Sequence, residues 1–162
     1  MTMPNNNSRI LLKRLKKTLS ELGEAQARLN KIVKIIADSM NSEVCSIYLI
    51  NRYNILELYA TEGLRSKAVH YSQLNVGQGL VGKIAATAEP IKTSQASKTK
   101  GFRYLPETGE EIYNSFLGVP IQRLGKMLGV LVIQNLKNRE YTEDDIYGLE
   151  IVAMVIAEMA EL

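Results

Sequence analysis

The sequence predicts an α+β sandwich: a central antiparallel sheet with helices grouped on one face and a long loop layer on the other. Two pairs of β-rich runs point to the sheet, 44–50 with 55–61 and 115–121 with 127–134, each pair joined by a turn-forming segment. Helical periodicity is confined to the two ends of the chain and to a short stretch after a glycine cluster. The length of 162 residues suits one domain, and 46% apolar with 23% charged residues is the balance of a globular protein. The longest apolar runs, such as 127–133 and 151–157, are far shorter than the ~18 residues of a membrane span. The N-terminus has early charge and no apolar signal core, so a cytoplasmic location is expected.

Residues 1–7 read as a disordered tail. Over 8–40 the apolar residues Leu12, Leu15, Leu19, Leu22, Leu29, Val33, Ile36 and Met40 recur at spacings of three and four, with Gln26 at the missing step. This is a heptad seam with one polar interruption, which Gly23 bends or breaks. Strands 44–50 and 55–61 should pair antiparallel about Asn51, Arg52, Tyr53 and Asn54. A third strand is expected over 70–75, after a loop around Gly63. Gly77, Gly79 and Gly82 open a helix over 79–88, Pro90 stops it, and a short strand covers 90–93.

Residues 94–114 lack a clean period and contain Gly101, Pro106 and Gly109, so they read as a long, partly helical connection of the kind that is usually functional. Such a loop should be the most mobile ordered region and should tighten on a ligand. Strands 115–121 and 127–134 follow, with Leu124, Gly125 and Lys126 in their turn. Thr142 to Asp145 resembles a capping box with Asp for the usual Glu. The helix it opens is apolar nearly all round over 151–156 and so needs cover on both sides.

Few residues suggest chemistry. Cys45 is the only cysteine, which excludes an internal disulfide and a multi-cysteine zinc site, and its strand neighbours mark it as a buried, inert thiol. His70 is the only histidine and has no Cys, Asp or Glu beside it in sequence, so it reads as structural or solvent-facing. Neither a metal nor a cofactor is expected. The glycines spell G-x-G-x-x-G, but a dinucleotide site wants an acidic residue ~20 positions on, and Phe102 stands there. The net charge of +3 is split between a basic start (Arg9, Lys13, Arg14, Lys16, Lys17) and an acidic end (Glu140 to Asp145, Glu150, Glu158). With no aromatic interleaved in the basic cluster, nucleic acid and membrane partners are not expected. The two apolar terminal helices instead suggest a homodimer, as a parallel pair or a four-helix bundle.

Residues 101–121 join an acidic, aromatic loop directly to a strand, a short way after the glycine helix start. That order resembles a GAF domain. Tyr104-Leu-Pro-Glu-Thr-Gly-Glu-Glu followed by Ser115-Phe-Leu-Gly-Val-Pro is similar to the N-terminal GAF domains of the nitrogen-related phosphoenolpyruvate-protein phosphotransferases. The resemblance covers 29–162 and leaves 8–28 as an N-terminal helical extension. It implies that the first and last helices pack together behind the sheet and that the opposite face encloses a small-molecule pocket. It makes the glycines a tight turn that brings a helix N-terminus to that pocket, where free N–H groups hold an anionic group. The implied lining is Val76, Gly79, Leu80, Val81, Phe102, Tyr104, Ser115 and Leu117. Strand alternation leaves open whether Ser115, Leu117 and Val119 or Phe116 and Gly118 face the ligand.

The implied role is that of a sensor without catalysis of its own, binding a nitrogen-status metabolite such as glutamine. Arg103 and the Gly79 helix start would hold the carboxylate pole, and Glu107, Glu110 or Glu111 the amino pole. The implied partners are the remaining phosphotransferase domains and their small carrier protein. Two other readings stand beside it. One is a ligand-free dimerisation module whose pocket is filled by side chains. The other is a cyclic-nucleotide GAF domain, since Asn135, Lys137, Tyr141 and Asp145 partly match the Asn-Lys-Phe-Asp-Glu signature, with Tyr for Phe and Ile146 for Glu. In that signature the Lys and Asp imply a structural contact away from the ligand. Free methionine sulfoxide reductases, which resemble GAF domains, work through several cysteines that this chain lacks.

Overall fold

The computed structural model describes residues 6–20, 24–99, 101, 106–109 and 112–159. Its helices are α1 (Asn6–Ser20), α2 (Ala25–Ser39), α3 (Gly79–Thr87) and α4 (Glu143–Met159). Its strands are β1 (Val44–Ile50), β2 (Ile55–Glu62), β3 (Gln73–Asn75), β4 (Ile91–Thr93), β5 (Ser115–Arg123) and β6 (Lys126–Asn135). They form one antiparallel sheet in the order β3-β2-β1-β6-β5-β4. The β1–β2 turn forms because Asn51 Oδ1 accepts from the N–H of Tyr53 (2.9 Å) and Ile55 (3.2 Å) while Asn54 takes a φ of 61°.

Both faces of the sheet are covered, so β1 and β6 are buried along almost their whole length. Cys45, Ile47, Leu49, Leu131 and Ile133 pack with Leu11, Leu15, Ile32, Ile36, Val152 and Ile156 of α1, α2 and α4. On the other face Tyr48, Leu56, Leu58, Val130 and Val132 pack with Leu80, Val81 and Ile84 of α3. Cys45 is fully buried, and burial followed by the charge of Glu62 pushes its thiol up.

Four expectations need correction. The single seam over 8–40 is two helices packed side by side, joined by the Arg14–Asp38 ion pair (3.7 Å). Glu24, with φ −69° and ψ 144°, is extended and interrupts the helix; Leu22 and Gly23 lie outside the described residues. Leu11 and Leu15 are buried, whereas Leu12 is only half-buried. The helix starts at Asn6, inside the segment read as a tail, and residues 1–5 lie outside the described residues.

The third strand is shorter than expected, because His70 takes a left-handed φ of 63° and its N–H turns to the Leu58 carbonyl (2.6 Å). Finally, among the described residues α4 is covered on one side only. Its capping box forms as expected, with Thr142 N–H to Asp145 Oδ2 (2.8 Å) and Asp145 N–H to Thr142 Oγ1 (3.1 Å). Leu149, Val152, Ala153 and Ile156 are buried, but Met154 is 67% exposed and borders an open groove with Leu124, Tyr147 and Ile151.

Candidate functional site in the α3 layer

The layer over the second sheet face is positioned by glycines. Gly77 and Gly79 have φ of 93° and 68°, values that L side chains rarely adopt, and they turn the chain from β3 into α3. A Cβ on Gly82 would lie 2.6 Å from the Asn75 carbonyl, so only glycine lets the helix start this close to the strand end. A Cβ on Gly118 would lie 2.5 Å from Ile84 Cδ1 and 3.0 Å from the Phe116 ring, so α3 also sits tight on β5. Val76, Leu80, Val81, Ile84, Phe116 and Tyr48 therefore surround one apolar layer.

This settles the parity of β5. Phe116 faces α3, and the Cβ position of Gly118 points the same way. Leu117, Val119 and Ile121 face α2 and α4. The expectation that Leu117 and Ser115 line the pocket is thus corrected. Leu117 lies in the helix-side core, and Ser115 Oγ donates to the Lys137 carbonyl (2.5 Å) and accepts from the Arg139 N–H (2.6 Å). Val76, Leu80 and Val81 pack in the α3 layer, and Gly79 is the first residue of α3. Phe102, Arg103, Tyr104, Glu110 and Glu111 lie outside the described residues.

The long connection is tied down at several points. Ala96 N–H donates to the Asn114 carbonyl (2.6 Å), Arg65 N–H to the Thr108 carbonyl (3.1 Å) and Tyr113 Oη to the Gly63 carbonyl (3.3 Å). The fully buried Ser72 hydroxyl donates to Glu107 Oε1 (3.0 Å), which brings one carboxylate to the loop beside Ala68 and Leu74. The α3 layer thus joins a packed apolar cluster to a part-buried polar contact, Ser72 with Glu107. Among the described residues no three metal-ligating side chains cluster, and no helix is long and apolar enough to cross a membrane.

The Asn135 region is a structural knot where the end of β6 meets the α2–β1 turn. Tyr141 Oη donates to Asn135 Oδ1 (2.8 Å), and Asn135 Nδ2 donates to the Asn41 carbonyl and Glu43 Oε2 (both 2.9 Å). Asp145 pairs with Arg139 (3.5 Å), and Lys137 contributes its carbonyl to Ser115, so both make structural contacts. Arg139 also donates to the Met40 carbonyl (2.8 Å) and stacks over Tyr141 at 4.9 Å. The only sequence signal for Arg139 was that it is the one arginine between Asn135 and Asp145. Burial pushes the Tyr141 phenol up, Arg139 opposes this, and Glu43 and Asp145 reinforce it.

His70 has partners that its sequence neighbours did not reveal. Its Nδ1 lies 2.8 Å from Glu57 Oε2 and its Nε2 lies 2.8 Å from Gln26 Oε1. Gln26, read as a polar step in a helix seam, faces the sheet.

The family model for the GAF domain matches residues 24–159. The chain is 36% identical over 140 residues to a phosphoenolpyruvate-dependent phosphotransferase system protein of Escherichia coli, covering 83% of this chain and 19% of that protein. It is 27% identical to a Nif-specific regulatory protein of Azospirillum brasilense, covering 90% of this chain and 24% of that one. The chain thus spans about a fifth to a quarter of these relatives. Among solved structures, the GAF domain of a phosphoenolpyruvate-protein phosphotransferase (ptsP) from Coxiella burnetii aligns with a TM-score of 0.87 at 29% identity, over 94% of this chain and 91% of that chain. The GAF domain of the Acinetobacter phosphotransferase aligns with a TM-score of 0.84 at 31% identity, over 96% and 93%. With the sheet, the glycine-opened α3 layer and these matches in agreement, the chain belongs to the GAF domain family, as a relative of the GAF domains of phosphoenolpyruvate-protein phosphotransferases.

Proposed function

We propose that this chain is the regulatory, small-molecule-sensing domain of a PtsP-type phosphoenolpyruvate-protein phosphotransferase, and that it binds a nitrogen-status metabolite such as glutamine in the α3 layer. The reading rests above all on the similarity to the Acinetobacter phosphotransferase GAF domain over nearly the whole of both chains. The similarity to a Nif-specific regulator is in keeping with a nitrogen signal. Glutamine carries an anionic and a cationic pole. The α3 start at Gly79 supplies N–H groups for the first, and Glu107, held by Ser72, supplies an acceptor for the second.

Isothermal titration with glutamine, 2-oxoglutarate and cyclic nucleotides tests the proposal. Saturable binding of glutamine alone supports it. Binding of a cyclic nucleotide alone, or of none of the three, replaces it with one of the other two readings. The domain itself is expected to transfer no phosphate, so labelled phosphoenolpyruvate should leave it unlabelled; acid-labile label on His70 would overturn that.

The second element is a homodimer through the terminal helices. The exposed Leu124, Tyr147 and Met154 beside α4 favour it, together with the half-exposed Ile10 among the basic residues of α1. Such a dimer carries the signal from the α3 layer, through the sheet, to the helices and on to the rest of the phosphotransferase and its carrier protein.

A further inference from the structure

We propose that His70, Glu57 and Gln26 form a proton-dependent latch that fastens the first turn of α2 to the sheet. The geometry fixes the direction of every hydrogen bond. Gln26 Nε2 donates to the Tyr59 carbonyl (2.7 Å) and to Asn30 Oδ1 (3.0 Å). A backbone carbonyl only accepts, so the amide has one orientation, and Gln26 Oε1 faces the ring as an acceptor. Glu57 Oε2 is an acceptor on the other side. Each ring nitrogen thus meets an acceptor at 2.8 Å, and only the imidazolium has an N–H for both. A neutral ring sets a lone pair against one of them.

The surroundings hold the ring in place. β1 pairs Ile47 with Ala60 and Tyr48 with Leu58, so Tyr59 is the extra residue of a β-bulge, and its carbonyl is the one that Gln26 reads. The Tyr59 ring meets the imidazole edge to face at 4.8 Å. His70 itself is anchored in a left-handed turn by its N–H bond to Leu58. Glu57 and Tyr59 are the titratable groups that β2 turns to the ring, and α2 presents the neutral Gln26. Lys67 and Tyr71 on the ring's own segment are exposed. The Glu57 side chain is 16% exposed and that of His70 46%, so solvent reaches the pair from the His70 side.

The sign follows directly. The latch is complete when the ring is protonated, with an N–H for each acceptor, and opens when that proton leaves. It makes the docking of α2 respond to pH independently of what fills the α3 layer.

Hydrogen exchange of the intact chain tests the latch, with rates corrected for the intrinsic pH dependence of exchange. In the wild type, amides of the first two turns of α2 should open about three- to tenfold more at pH ~8.5 than at pH ~5.5, the effect of one hydrogen bond. In Glu57→Gln the new amide donates to a neutral Nδ1 while Nε2–H still serves Gln26, so protection should persist and the pH difference should vanish. His70→Asn keeps the left-handed turn, which Asn tolerates, and should give the open level at both pH values. Equal wild-type protection at both pH values overturns the latch, as does a wild-type pH difference surviving in either variant. Should His70→Asn fail to fold, nitrogen NMR of the wild-type ring decides independently. Imidazolium shifts giving way to a neutral tautomer across this range support the latch, and a neutral ring throughout refutes it.

Discussion

The contact between α3 and β5 makes a quantitative prediction at Gly118. Replacing it with alanine places a Cβ 2.5 Å from Ile84 Cδ1 and 3.0 Å from the Phe116 ring, where carbon atoms prefer ~3.5–4.0 Å. Ile84 has no exposed surface and Phe116 is 3% exposed, so a shift of either disturbs buried neighbours. The helix must rise by about 1 Å, or a side chain must leave its rotamer, and such overpacking costs about 1–3 kcal/mol. For a domain of this size that lowers Tm by roughly 2–12 °C. A double-mutant cycle isolates the cause, because Ile84→Val removes the clashing methyl. Alone it should cost about 0.5–1.5 kcal/mol as a core truncation. Combined with Gly118→Ala it should cost clearly less than the sum, by about 1 kcal/mol or more. Calorimetry and urea unfolding of the four proteins give the coupling directly. Additive effects, or a Gly118→Ala protein as stable as the parent, would refute the close approach of α3 to β5.

Other outcomes follow from features already described. Tyr141→Phe removes the hydroxyl bond to Asn135 and should cost about 1 kcal/mol in urea unfolding, since Arg139 Nη1 still donates to the same Asn135 oxygen at 3.1 Å. Because burial pushes the Tyr141 phenol up, the native state keeps a proton that the unfolded state releases near pH ~10, so stability should fall above that pH and fall less steeply in Tyr141→Phe. Buried Cys45 should react with a thiol reagent only at the rate of opening, and a full signal before unfolding would contradict its burial. For the proposed dimer, Leu124→Glu with Met154→Glu should shift sedimentation to the monomer without loss of the sheet signal, because both side chains are exposed. Substitution of Leu15 is a poorer test, since Leu15 is 2% exposed and supports the α1–α2 contact.

The strands were legible because their punctuation is local. Asn51 to Asn54 and Leu124 to Lys126 mark turns by residue type, and the observed ends of β1, β2, β5 and β6 fall within two residues of the expected ones. The facing of β5 was not legible, because a strand buried on both sides has no polar alternation to read. Gly118 held the clue: a glycine inside a strand often marks a close backbone approach, here that of α3. The third strand was overextended because Val69, His70 and Tyr71 have strand-like character, while the left-handed turn at His70 is set by the packing around it. The partners of His70 were invisible for another reason: Gln26 is 44 residues away in sequence. Arg139 was not singled out from the sequence, though its guanidinium serves Met40, Asn135 and Asp145 at once.

The lengths of the outermost strands have a consequence for how this domain behaves in a crowded solution. β2 and β5 run on past β3 and β4, but these outermost strands contain three residues each and themselves offer only ~10 Å of backbone apiece. That is too short to recruit a neighbour strand by strand, and short edges are a common protection against uncontrolled aggregation. The long central strands β1 and β6, which would be hazardous at a border, are paired on both sides. Growth of the sheet from copy to copy is therefore disfavoured, and any stable self-association is directed to the helical surface. Tandem copies on a flexible tether should accordingly remain dispersed, behaving as beads on a string rather than merging into one extended sheet.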